Sequence, residues 1–119
     1  MEISNQPLKK ICINYPSISN IKKYIINIDS YFKIHSPFFI FSSIEYYIRS
    51  RNLVNISDQQ LIIICYQLAI QYHGTPIHLK FCGLKMYNQC FELKLKFEEY
   101  WDIKYEVLNE GLNWKLNHI

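Results

Sequence analysis

A chain of 119 residues and 14.4 kDa has room for one hydrophobic core and excludes a multi-domain enzyme. Half of the residues are apolar and 19% are charged, which excludes intrinsic disorder, while three glycines and four prolines are too few for the closely spaced turns of a β-sandwich or barrel. The net charge of +3 is small and the basic residues come as scattered pairs, Lys9-Lys10 and Lys22-Lys23, so neither nucleic acid nor an anionic membrane is indicated as a partner.

Along the chain, residues 1–15 carry no clear period and read as an N-terminal arm closed by Pro16, ahead of a single domain over 16–119. From Ser17 the apolar positions Ile18, Ile21, Tyr24, Ile25, Ile28, Tyr31 and Phe32 recur at three and four, which predicts a helix over 17–34 with one buried face. Ser36-Pro37 supplies an N-cap followed by proline at the first helical position, where its missing N–H costs nothing. The second helix is expected to turn Ile40, Phe41, Ile44, Tyr47 and Ile48 inward and to end near Asn52. Ser57 with Gln60 three residues later reads as a capping box, in which each residue satisfies the other's backbone N–H. The third helix then carries Leu61, Ile64, Cys65, Leu68 and Tyr72 at helical spacing and stops at Gly74-Thr75-Pro76. Its apolar residues lie on nearly all sides, as the centre of a bundle requires.

Beyond Pro76 two patterns compete. Phe91, Leu93, Leu95 and Phe97 alternate with Glu92, Lys94 and Lys96 at the strand period, while Leu93, Phe97, Tyr100, Trp101 and Tyr105 follow the helical one. The abundance of Glu, Leu and Lys favours helix. Asn109-Glu110-Gly111 either ends a helix or turns a hairpin between 105–108 and 112–116. The expected fold is an all-α, five-helix bundle; the alternative is α+β, three helices followed by an antiparallel sheet, as in a small immunity or inhibitor protein.

The longest unbroken apolar run, Leu61–Tyr66, falls far short of the roughly 20 residues that span a bilayer. The Met-Glu-Ile-Ser-Asn-Gln start has neither the basic nor the apolar character of a secretory signal, so the expectation is an intracellular protein without membrane association. Cys12, Cys65, Cys82 and Cys90 are irregularly spaced without a Cys-x-x-Cys pair, which fits reduced, mostly buried thiols. No Gly-rich phosphate loop, His-Glu-x-x-His or nucleophile elbow occurs. His73, His78, Cys82 and Cys90 are the one grouping that resembles metal ligands, but their spacing matches no pattern that fixes a tetrahedral site. Cys65 sits inside an apolar run, where a thiolate is costly. The reading is of a non-catalytic protein without metal or cofactor.

The order and spacing of these helices resemble a cyclin box, most closely the short, single-box P-type cyclins, over residues 16–104. The family opens its first helix with Pro and Ile-Ser and continues Tyr-hydrophobic-x-Arg-Ile-x-x-Tyr; here stand Pro16, Ile18-Ser19 and Tyr24-Ile25-Ile26-Asn27-Ile28-Asp29-Ser30-Tyr31, with Asn27 in place of the arginine. The end of the second helix is similar at Tyr46-Tyr47-Ile48-Arg49, and the third at Ala69-Ile70-Gln71-Tyr72, where Gln71 replaces a lysine. Gly83-Leu84, Glu92 and Trp101-Asp102-Ile103 are similar to the later part of the box. The resemblance implies a regulatory subunit, in cytoplasm or nucleus, that binds and activates a cyclin-dependent protein kinase and performs no chemistry. It implies that a lysine on the third helix and a glutamate on the fifth hold the kinase's regulatory helix. The corresponding partner-binding candidates are Gln71, Lys80 and Glu92; Arg49, Tyr24 and Trp101 take structural roles. A cyclin-fold adaptor that no longer activates a kinase is the reading that Asn27, Ile48 and Gln71 leave open.

Overall fold

Proline at 37 and serines at 36 and 57 start two of the helices where their chemistry says they must. The computed structural model describes residues 18–91 and 94–117, which form five α-helices: α1 Ile18–Tyr31, α2 Pro37–Ser50, α3 Asp58–His73, α4 Leu84–Phe91 and α5 Phe97–Glu106. The Ser36 hydroxyl accepts from the Phe39 amide at 3.2 Å, and the Ser57 hydroxyl accepts from the Gln60 amide at 3.3 Å. The capping box is closed differently from the expected pattern, because Gln60 Oε1 accepts from the Ser57 hydroxyl itself at 3.0 Å. Gly74 caps α3 at its other end, its amide donating to the Ile70 carbonyl at 2.7 Å. The expected arm over 1–15, together with Cys12, Glu92 and Leu93, lies outside the described residues.

α3 is the axis of the bundle. Its residues from Leu61 to Ile70 are all buried, with α1 contributing Ile21, Tyr24, Ile25, Ile28 and Phe32 to the same core. α2 packs against α3 more extensively than any other pair of elements. The face it buries is Phe39, Ser42, Ser43, Tyr46, Tyr47 and Ser50, which corrects the expected inward stripe: Ile40 and Ile44 are half-buried, and Phe41 and Ile48 are 61% and 48% exposed. Small serines let two helix backbones approach closely, and the two tyrosines find acceptors inside the fold, Tyr47 on Asp58 at 2.7 Å and Tyr46 on the Leu116 carbonyl at 2.5 Å. An apolar count cannot see either advantage.

After α3 the chain makes a 3₁₀ turn over Pro76–Phe81 and enters α4. No strand is present among the described residues, so the α+β alternative and the hairpin at 109–111 fail. Instead α5 widens into a single π turn over Val107–Gly111, closed by the Leu112 amide on the Val107 carbonyl at 2.9 Å. The inward face of α5 and the π turn is Tyr100, Lys104, Val107 and Leu108; of the expected helical series Tyr100 is buried, whereas Phe97, Trp101 and Tyr105 are 62%, 41% and 45% exposed. Gly111 ends this element where it crosses α2; a Cβ there would stand 2.6 Å from Ser50 Oγ. No helix among the described residues is long and apolar enough to cross a membrane.

Candidate functional site

α3 and α5 bring together two residues 33 positions apart. Lys104 Nζ donates to Gln71 Oε1 at 2.6 Å. Gln71 lies at the exposed end of α3, whereas Lys104 is only 6% exposed and holds its ammonium 5.8 Å from the centre of the Tyr100 ring. Burial pulls the Lys104 pKa below the ordinary lysine value of 10.5, because an ammonium taken out of water loses hydration that an amide oxygen and an aromatic face only partly replace. Among the described residues no carboxylate forms an ion pair with it.

The floor beneath Lys104 is tied together by hydrogen bonds. The Tyr100 hydroxyl donates to Gln67 Oε1 at 2.7 Å and approaches the Cys82 carbonyl at 3.0 Å; Gln67 Nε2 donates to the Gly83 and Phe81 carbonyls at 2.9 and 3.2 Å. This closed network fixes α5 on α3 and on the start of α4. Above it lies a cavity of about 330 Å³, lined by Leu68, Leu108 and Leu116, by the aromatic rings of Tyr72, Trp101 and Trp114, and by Gln71 and Lys104. Trp114 is held in the left-handed region at φ 59°, where a bulky residue is rare; its amide donates to the Leu108 carbonyl at 2.8 Å and its indole N–H to Asn109 Oδ1 at 3.1 Å. Tyr105 bridges the two indoles, its ring 6.4 Å from Trp101 and 5.7 Å from Trp114.

Of the three expected contact residues, Gln71 lies in this site. Lys80 is exposed on the 3₁₀ turn with Nζ 5.2 Å from the Phe81 ring and does not line the cavity; Glu92 lies outside the described residues and precedes α5 in the chain. Lys104 went unnoticed in the sequence, although it interrupts the helical series Tyr100, Val107, Leu108 on one face of α5. Trp101, assigned a structural role, is half-exposed at the cavity rim. Tyr24 is fully packed in the core, and Arg49 ties the C-terminal segment to α2 by donating to the Lys115 carbonyl at 2.6 Å and the Leu112 carbonyl at 3.4 Å.

A second feature runs between α1 and α2. Phe41, Ile48, Ile26, Ile40 and Ile44 line an apolar groove of about 940 Å³ with Lys22 and Glu45 also on its walls. It exists because α2 turns its isoleucines away from α3.

The side chains of His73, His78 and Cys82, candidates for metal ligation on residue type, are turned to other groups. His73 Nε2 stands 3.1 Å from the Tyr46 hydroxyl, His78 Nδ1 lies 3.3 Å from the Thr75 hydroxyl, and the Cys82 thiol points to the His78 carbonyl at 3.8 Å. No group of three His, Cys, Asp or Glu among the described residues is placed to hold a metal ion. Cys65, Cys82 and Cys90 are buried; burial pushes the Cys82 thiol up to about 11 and Cys65 further, so both stay protonated at neutral pH. No protein-family model, curated protein or solved structure matches the chain.

Proposed function

We propose that this chain is a non-catalytic docking subunit of the cyclin-box type that binds a cyclin-dependent protein kinase and activates it. The observation that carries the reading is the Gln71–Lys104 pair, which joins the third and fifth helices of an all-α bundle at an aromatic surface. The resemblance expects a lysine on the third helix and a glutamate on the fifth at the kinase-binding face. Here the amide stands on α3 and the cation on α5, so the pair keeps one positive charge in that place but carries it on the opposite helix. Half-exposed tryptophans and a tyrosine, as at Trp101, Trp114 and Tyr72, are among the residue types enriched at protein interfaces.

Docking of a rigid bundle activates a kinase by holding its regulatory helix in the inward position, which completes the Lys-Glu pair that orients the ATP phosphates. The bundle supplies differential binding to the inward state and no reacting group. Affinity capture of the intact chain from its native lysate, with a kinase assay on the eluate, tests this. The expected result is recovery of a cyclin-dependent kinase whose activity rises with added chain; recovery of other partners with no kinase above background contradicts it. A kinase that binds without stimulation supports the adaptor reading instead, which the neutral amide of Gln71 at the lysine position favours.

A further inference from the structure

We propose that the cavity beside Lys104 is a binding site for a small organic carboxylate, whose charged group pairs with the Lys104 ammonium while its apolar body lies against the Trp101 and Trp114 rings that line it. This does not depend on the kinase reading. A lysine is almost never fully buried without a counter-ion, since an ammonium removed from water needs its donors met and its charge balanced. The ammonium has three N–H donors, and among the described residues Gln71 Oε1 is the one acceptor it reaches. The remaining stabilisation comes from the face of Tyr100, which offers a weak attraction and no lone pair. The charge is therefore incomplete within the described residues, and a cavity opens directly against it.

The shape and chemistry of that cavity select the ligand. Its volume of about 330 Å³ lies at the lower end of small-molecule sites, which run from ~300 to ~1,000 Å³. Its walls are two indoles, one phenol and leucine side chains, and Lys104 is their one cationic group, so a neutral apolar molecule leaves the ammonium unpaired and a small inorganic anion leaves the walls unused. An aromatic or short aliphatic carboxylate satisfies both. The walls are prepared in advance: Asn109 fixes the Trp114 indole through its N–H, and the Gln67–Tyr100 network fixes the helix that carries Trp101 and Lys104. Preorganised walls spare a ligand the ordering cost that weakens binding to mobile surfaces.

Trp101 and Trp114 are the only two tryptophans of the chain, so tryptophan fluorescence, excited beyond the tyrosine band, reports on this cavity. The experiment titrates the full chain with 3-phenylpropionate and with hexanoate, and in parallel with 3-phenylpropionamide, the uncharged counterpart of the first. The expected result is a saturable fluorescence change with at least one acid and about tenfold weaker binding of the amide, the scale of a charge-assisted hydrogen bond. Lys104→Met is expected to abolish the preference for acid over amide while keeping the helical circular dichroism. Equal binding of acid and amide overturns the proposal, as does the absence of saturation with both acids. The comparison of acid with amide is made on the unaltered chain, so the outcome stands even if Lys104→Met does not fold.

Discussion

Two charged side chains are buried to nearly the same degree in this bundle, and their surroundings differ in kind. Asp29, 2% exposed near the end of α1, has both carboxylate oxygens engaged: Oδ1 accepts from the Tyr66 hydroxyl at 2.6 Å and Oδ2 from the Ser36 amide at 3.0 Å. One carboxylate thereby joins α1, the cap of α2 and the middle of α3. Lys104, 6% exposed, has a single neutral acceptor for its three N–H donors. Both residues line a cavity, Asp29 the groove between α1 and α2 and Lys104 the smaller one, so the difference lies in the hydrogen bonds. A buried charge with a partner on each of its polar atoms ties helices together, whereas an ammonium with two of its three donors unmet among the described residues leaves a position for something else to fill. Burial alone distinguishes nothing; the inventory of partners does.

That contrast sets the size of the expected effects. Asp29→Ala breaks both hydrogen bonds and strands the Tyr66 hydroxyl inside the core, so it is expected to cost about 3 kcal/mol or more of unfolding free energy in a urea titration. A loss below about 1 kcal/mol would remove Asp29 from its role as a tie between helices. Gly111→Ala comes next, because the added methyl meets Ser50 Oγ at 2.6 Å and Ser50 Cβ at 2.8 Å where the π turn crosses α2. Overpacking of this kind costs about 2 kcal/mol, and Ser50→Gly in the same chain is expected to restore much of it.

Lys104→Met is expected to be nearly neutral at pH 7, within about 1 kcal/mol of the parent, since a methionine of similar length fills the space without a desolvated charge. Its pH dependence is the sharper observable. Burial lowers the folded-state pKa of Lys104 below 10.5, so between the folded value and 10.5 the unfolded chain binds more protons than the folded one. The parent therefore gains stability relative to Lys104→Met as pH rises through that window. Parallel stability curves for the two proteins over that range would mean that Lys104 is not desolvated. The buried tyrosines Tyr46 and Tyr87, both raised to about 12, are common to the two proteins and cancel in the difference.

The first three helices were legible because their ends are written in local chemistry. Ser36-Pro37, Ser57 and Gly74 fix where helices begin and stop regardless of what they pack against, and the period of Ile21, Tyr24, Ile25 and Ile28 marks the one buried face of α1. The orientation of α2 was not legible, since its isoleucines and its Ser-Tyr face form two adjacent stripes and only contact with α3 chooses between them. In α5 the exposed aromatics Phe97, Trp101 and Tyr105 mimic a buried stripe, and the true inward face contains a lysine. Gln71 could be singled out in the sequence, but its partner could not, because Lys104 meets it only through the crossing of α3 and α5.

The proposal that a kinase docks on the surface around Gln71 and Lys104 is tested most directly by capture from the native lysate with the parent chain and Lys104→Met side by side. A cyclin-dependent kinase is expected to be retained by the parent and its recovery to fall about tenfold or more with Lys104→Met, while circular dichroism of the two chains stays the same. Equal recovery of the kinase by both chains, or no kinase with either, would contradict it.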